Sequence, residues 1–322
     1  MRFRIHNTWP SLSEEALSYL TKNGGDVSYR RWLGLPEDEI CREIKGLDAI
    51  IAGGERYTRK VFDSADRLKI VARVGAGVDH VDLTAATDHG IWVTNTPSAN
   101  SPAVADFTIG MILCLLRNIH GMARDMKLGR WQRFCGRELG QVTLGIVGAG
   151  SIGRQVIKRA RGFGTRVLAN DIVPDHDFAA EWQFEYVPLD ELMADSDVVS
   201  LHVPLDESTR GFIDARRLRL MKGTAYLINT SRAPVVDRAA LLEVLQAREI
   251  TGAALDVHDP APCAPDDPLV ALDNVLATPW SAFNTEASIT RMSIAAAQEV
   301  IEVLQGNLPK FPVNEVSGSG SA

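Results

Sequence analysis

Ten residues near the middle of the chain have the types and spacing of an anion cradle. The run Leu144-Gly-Ile-Val-Gly148-Ala-Gly150-Ser151-Ile152-Gly153 reads as a strand, a Gly-x-Gly-x-x-Gly turn and the start of a helical pattern that continues to Arg161. Gly148 permits a tight turn, Gly150 lets backbone approach a pyrophosphate, and Gly153 lets the helix lie close to the strand. Ser151 and Ile152 open the helix, where first-turn N–H groups lack intrahelical acceptors and attract an anion. A second strand, Arg166 to Ala169, ends in Asn170-Asp171, about twenty residues downstream as such cradles require. An acid there accepts hydrogen bonds from both ribose hydroxyls and repels a 2′-phosphate, so NAD rather than NADP is the expected cofactor.

Other residues capable of chemistry lie at turns. Gly53-Gly54 and Gly75-Ala76-Gly77 follow the apolar runs Asp48–Ala52 and Lys69–Val74 and put bare backbone at strand C-termini, the edge at which open α/β sheets bind ligands. Small residues there leave room for a small anionic substrate without identifying it. His258 adjoins Asp259, and a histidine beside a carboxylate is a candidate base as well as an ordinary loop histidine. The four cysteines (Cys41, Cys114, Cys135, Cys263) are far apart with no Cys-x-x-Cys spacing, so neither a metal site nor a disulfide framework is expected. A reducing cytoplasm is the simplest setting.

The elements that must position these residues alternate short apolar runs with helical patterns, the signature of parallel sheets covered by helices. A strand at Phe3–His6 leads to a helix at Ser13–Lys22, capped by Ser11 or Ser13, and a turn at Gly24-Gly25. A long helix is expected from Pro102 to about His120, after the Asn95-Thr96-Pro97 turn, followed by polar, arginine-rich ground and a strand at Thr143–Val147. The last helix, Thr285–Gln305, is apolar on one face. A length of 322 residues suits two domains, and a net charge of −7 with no basic block disfavours nucleic acid or an anionic membrane as partner. Met1 to Pro10 lacks the apolar region of a signal peptide, and the apolar stretch Phe107–Leu116 is too short to span a bilayer.

Five blocks match a known family: Arg73-Val-Gly-Ala-Gly-Val-Asp-His-Val-Asp82; Asn95-Thr-Pro-Ser-Ala-Asn100 with Val104-Ala-Asp106; Leu201-His-Val-Pro-Leu205; Asn229-Thr-Ser-Arg232 with Val236-Asp237; and Gly252-Ala-Ala-Leu-Asp-Val257. With them the chain resembles the D-isomer-specific 2-hydroxyacid dehydrogenases, most closely the phosphoglycerate-dehydrogenase-like branch. The resemblance implies two doubly wound parallel-sheet α/β domains. A Rossmann cofactor domain (100–285) would be inserted in a flavodoxin-like substrate domain (1–99 and 286–316), with a flexible tail at 317–322. It further implies an active site in the cleft and a homodimer formed through the cofactor domain. Arg232 matches the arginine that binds the substrate carboxylate and polarises the carbonyl, a task suited to a permanent cation with a fork of donors. Asp256 matches the acid that holds the nicotinamide carboxamide. Thr108, His202, Val203, Pro204 and Thr230 match the cofactor wall, which His202 lines through its backbone. Gly53, Gly54, Gly75, Ala76 and Gly77 match the loops whose N–H groups cradle the substrate's acid group.

Two positions break the pattern. The run Leu255-Asp-Val-His-Asp-Pro-Ala261-Pro262 has Ala261 where the family carries its catalytic glutamate, and Thr278-Pro279-Trp280 has Trp280 where the family carries its catalytic histidine. Tryptophan donates one N–H and is no base near neutral pH, and losing general acid–base help lowers a rate by about 10²–10⁴. His258, at a usual phenylalanine position, is the candidate replacement base, and Trp280 the candidate wall for substrate or nicotinamide. Three readings stay open: an NAD-dependent oxidoreductase on a small anionic hydroxy, oxo or aldehyde substrate; an NAD(H)-binding regulator; and a redox-neutral enzyme that keeps NAD as a prosthetic group.

Overall fold

A computed structural model describes residues 2–316, so the tail expected at 317–322 lies outside the described residues. By its contacts the chain divides into two compact units, Met1–Asn100 with Asn284–Ala322, and Ser101–Phe283.

The first unit is built on five parallel strands: β1 (Phe3–Asn7), β2 (Gly25–Tyr29), β3 (Ala49–Ala52), β4 (Ile70–Arg73) and β5 (Trp92–Thr94), in the order β2-β1-β3-β4-β5. Every residue of β3 and β4 is buried, which explains their unbroken apolar runs: helices cover both faces of a parallel sheet. Ile50, Ala52, Val71 and Val93 pack with Trp32, Ile44, Phe62 and Ala85 in one core. The helices Glu14–Lys22 and Glu286–Leu304 pack on each other, the second also on β3 and β4. Ser13 caps the first of these helices by accepting from the Ala16 amide, and Thr285 caps the second. β2 had been expected only as a turn. It is an edge strand with no fully buried residue, so it lacks the apolar run that marks its neighbours. Chain direction across this sheet reverses between β1 and β3, which makes their C-terminal ends the switch point at which such sheets bind ligands.

The second unit has seven parallel strands: β6 (Thr143–Val147), β7 (Arg166–Asn170), β8 (Glu185–Tyr186), β9 (Val198–Leu201), β10 (Tyr226–Asn229), β11 (Gly252–Leu255) and β12 (Val275–Ala277). Their order, β12-β11-β10-β9-β6-β7-β8, places its reversal between β6 and β9. Alternation along the strands feeds two cores: Leu144 and Ile146 point to one, Val147 and Leu168 to the other. The single helix expected over Pro102–His120 is two, Ser101–Leu116 and Ile119–Lys127, bent by 64°. The break falls at Asn118, whose φ of 48° is left-handed, a conformation asparagine tolerates better than most residues. Among the described residues no single helix is long and apolar enough to cross a membrane, and no group of three or more His, Cys, Asp or Glu side chains is placed to hold a metal ion.

Candidate active site

The glycine turn follows β6 at the switch point of the second unit. Gly148 has φ +93°, and a Cβ there would lie 2.8 Å from the carbonyl carbon of His202, which follows β9. At Gly153 a Cβ would come within 2.1 Å of the Gly148 carbonyl oxygen, so helix and turn close only on glycine. Gly150 differs: its backbone is extended and a Cβ would meet nothing within 4 Å. The chain itself does not demand glycine at 150, and bare backbone there leaves room for a ligand. The helix Ser151–Gly162 starts there with no side-chain cap from Gly150, so its N-terminal end borders that space. Asp171 accepts from the Ala149 amide through Oδ2 (2.7 Å) and from the Val173 amide through Oδ1 (2.9 Å), so each oxygen keeps a lone pair for a ribose hydroxyl. Ile172 and Val173, which sequence reasoning passed over, are 98% and 75% exposed beside it. Two apolar residues directly after an acid at a strand end are the signal that was available. These residues fit a dinucleotide with an unphosphorylated ribose.

The remaining cofactor-wall positions are held by the chain. The His202 amide donates to the Val147 carbonyl (2.7 Å) and Nε2 pairs with Ser200 Oγ (2.9 Å), while burial lowers the imidazole pKa to about 3. A ring so held is neutral and does no acid–base work near neutral pH. Val203 Cγ1 lies 3.0 Å from where a Cβ of Gly148 would be, and the Pro204 carbonyl accepts from Thr209 Oγ1 at 2.7 Å. Thr108 donates to the Val104 carbonyl (2.8 Å), so in its 3.2 Å pairing with Thr230 the Thr230 hydroxyl is the donor.

Arg232 stands just past β10. Asn229 shapes its turn, accepting from the Ser231 amide and hydroxyl (3.0 and 2.9 Å) and donating to the Arg232 carbonyl (3.0 Å). The guanidinium carbon lies 5.5 Å from the centroid of the Trp280 ring, a cation–π pairing. Trp280 is 41% exposed with φ +53°, and its amide donates to the Asp256 carbonyl at 2.9 Å. The Asp256 carboxylate is fully buried and accepts from Thr278 Oγ1 (2.6 Å) and the amides of Ser281 (2.8 Å) and Ala282 (2.9 Å). Burial pushes its pKa up against the pull of those bonds. The visible work of Asp256 is therefore to pin the turn that carries Trp280 over Arg232. Ala261 is exposed and offers no ionisable group.

His258 is held by the turn that also carries Trp280. Its Nε2 donates to the Thr278 carbonyl at 2.9 Å, which leaves the Nδ1 lone pair available. The ring borders a small cavity of about 70 Å³ lined by, among others, Asn229, Ala233, Pro234, Arg238 and Asp267, and neither Arg232 nor Trp280 lines it.

In the first unit the two glycine turns lie side by side, because Ala52 pairs with Arg73 at the ends of β3 and β4. Their donors differ from expectation. The Gly53 N–H is taken by Thr8 Oγ1 (2.9 Å) and Glu55 Oε1 (3.1 Å), and the Gly75 N–H by Thr96 Oγ1 (2.9 Å). Those two amides support the turns and do not face a ligand. Among the described residues the amides of Gly54, Ala76 and Gly77 have no acceptor in the chain. Asn95 Nδ2, donating to the Ala76 carbonyl (2.7 Å), holds the second turn in shape. Glu55, passed over by the sequence reading, is buried against the first turn, and a polar residue directly after Gly-Gly at a strand end was its signal.

Comparison with known proteins agrees with this geometry. The family model for "D-isomer specific 2-hydroxyacid dehydrogenase, NAD binding domain" matches residues 109–282. The chain is 40% identical to a glyoxylate reductase of Korarchaeum cryptofilum over 86% of this chain and 85% of that one. It is 38% identical to a D-3-phosphoglycerate dehydrogenase of Methanocaldococcus jannaschii over 94% of this chain, spanning 58% of that longer protein. A D-lactate dehydrogenase of Aquifex aeolicus, solved with NAD and lactic acid, superposes with a TM-score of 0.85 at 30% identity, covering 98% of this chain and all of that one. With the glycine turn, Asp171 and both sheet orders in place, the chain belongs to the D-isomer-specific 2-hydroxyacid dehydrogenase family and is an NAD-dependent dehydrogenase.

Proposed function

We propose that this dehydrogenase interconverts a small anionic 2-hydroxy acid and its 2-oxo acid by an acid–base arrangement that lacks the family's glutamate–histidine pair. The observation that carries the reading is Arg232, presented over the Trp280 face by two turns that Asn229 and Asp256 hold in place. NAD, when bound, takes or supplies the hydride. Arg232 binds the carboxylate bidentately and stabilises negative charge on the reacting oxygen. The hydroxyl proton has no side-chain acceptor at 280, because the indole N–H only donates, so it passes to solvent. His258 is not the replacement base in this reading, since its ring borders a cavity that Arg232 does not line. Ser101–Phe283 is the cofactor unit, in which Gly148–Gly153, Asp171, Ile172 and Val173 receive the dinucleotide, and the unit of both termini is the substrate unit. A homodimer forms through the segment in which Met126, Leu128, Trp131 and Phe134 are exposed, an apolar set close together in the chain.

The test is NADH absorbance with short 2-oxo acids, and with 2-hydroxy acids plus NAD. Turnover that falls by about 10²–10³ in Arg232→Ala and is unchanged within about twofold in His258→Ala is expected. Tight NAD binding with no turnover on any acid would sink the dehydrogenase chemistry and leave the regulator reading.

A further inference from the structure

Within the second unit, the middle residue of the glycine turn is held by two charged side chains, one on each of its peptide groups. Ala149 stands between Gly148 and Gly150, and two flanking glycines leave the peptide units on either side of it free to rotate unless something holds them. One unit is held by Asp171, which accepts the Ala149 N–H at 2.7 Å. The other is held by Arg154, in the helix that follows the turn, whose Nε donates to the Ala149 carbonyl at 3.2 Å. A trans peptide is planar with its C=O and N–H on opposite sides, so fixing that carbonyl also sets the direction of the Gly150 N–H. Among the described residues the Gly150 amide has no acceptor in the chain.

Arg154 also reaches beyond the turn. Its Nη2 pairs with Asp175 Oδ2 at 2.8 Å, and its guanidinium carbon lies 4.7 Å from the centroid of the buried Phe178 ring. Asp175 caps the helix His176–Trp182 by accepting from the Phe178 amide through Oδ1 (3.0 Å). That amide first, and Arg154 second, hold the Asp175 carboxyl below its ordinary pKa. Asp171 in turn accepts from the Val173 amide at 2.9 Å. The bonds therefore close a ring, from the turn to Asp171, along the chain to Asp175, across to Arg154 and back to the turn. The segment after β7 and the turn after β6 are thereby joined.

We infer that Arg154 is a positioning residue for NAD: through Ala149 and Asp175 it locks the glycine turn to residues 171–175, so that both are preset for the dinucleotide. This rests on the dinucleotide placement proposed above. A planar fork suits the task, since one nitrogen serves the carbonyl while another serves the carboxylate. Peptide groups ordered before binding need not be ordered by the ligand, which raises affinity without any added contact. The Arg154 charge is met by Asp175, so its effect on NAD passes through the backbone it holds.

The experiment is titration with NADH, followed by fluorescence, and with ADP-ribose, followed by calorimetry, each at low and high salt. Arg154→Gln is expected to raise Kd about tenfold for both ligands, since the held segments serve the half of the cofactor they share. Asp175→Asn keeps the helix cap but removes the charge, and should raise both about threefold. The double variant should lose no more than Arg154→Gln alone, because both residues act through one ring of bonds. Unchanged affinities in Arg154→Gln overturn the assignment. So does tighter binding in Asp175→Asn with a loss in Arg154→Gln that fades at high salt, which would make Arg154 a direct partner of the cofactor phosphates. Should Arg154→Gln fail to fold, Asp175→Asn decides, with an unchanged melting curve as control. Gly150→Val, which fills the open space at 150, separates the two levels. Unchanged NADH affinity there overturns the placement and the positioning role together, whereas affinity lost there and kept in Arg154→Gln overturns the positioning role alone.

Discussion

Two stretches of the second unit face the same sheet edge yet obey different constraints. In the turn Gly148–Gly153 each glycine answers a separate demand, two from the chain's own packing and one from open space at Gly150. In the stretch Asp256–Ala282 the backbone is pinned as firmly, by four bonds to Asp256 from Thr278, Trp280, Ser281 and Ala282. There the side chains presented are Trp280, in contact with Arg232, and an exposed Ala261. The difference teaches that two turns at one sheet edge can be held equally firmly while one presents bare backbone and the other presents side chains. Close packing on glycine shapes the first, and hydrogen bonds to a buried carboxylate shape the second.

That contrast is most severely tested at Gly153. Gly153→Ala puts a methyl 2.1 Å from the Gly148 carbonyl oxygen, and should weaken NAD binding by at least about 10²-fold in a fluorescence titration, with destabilisation of about 1–3 kcal/mol. Near-native affinity would mean that the turn is not the dinucleotide site. The next effect works in the opposite direction. Trp280→His combined with Ala261→Glu restores a base and its partner on a frame already in place, and histidine accepts the positive φ of position 280 at least as well as tryptophan. An increase in kcat/KM of about 10²-fold toward 2-oxo acids is expected, the lower end of general acid–base assistance. No increase would show that the Arg232–Trp280 pair serves a reaction with no proton transfer at that position.

A third effect, on stability alone, is invisible at neutral pH. His202 has its pKa lowered from 6.5 to about 3 by burial, so the folded chain favours the neutral ring. Its contribution is complete above pH 6.5 and is lost as pH falls toward 3, where the unfolded chain takes up a proton that the folded chain refuses. Thermal unfolding between pH 7 and pH 4 should therefore show an acid limb, amounting to about a few kcal/mol, that His202→Gln flattens. An identical limb in the variant would assign the loss to other groups.

Much of this was legible in the residues. The glycine turn, Asp171 and the strand pair around them are local patterns, with apolar runs and turn residues close in sequence, so their geometry follows from spacing. The same holds for Ser13 and Thr285, which cap the helices expected after them. The break at Asn118 was not legible, because the apolar pattern runs up to it and a single left-handed residue leaves no periodic trace. β2 was missed because an exposed edge strand carries no buried stripe.

What the chain order determined by itself, then, was the fold class and the glycine turn after β6, since each depends on neighbours within a few residues. Tertiary structure alone decided which amides are free, by bringing Thr8 and Thr96 onto Gly53 and Gly75. It also decided that Arg232 meets Trp280 while His258 borders a cavity that neither of them lines. It brought Thr8, 47 residues away in sequence, onto the buried carboxylate of Glu55. Parallel strands join such distant residues at one sheet edge through long crossovers, and no spacing along the chain encodes which hydrogen-bond partners remain there once the sheet has formed.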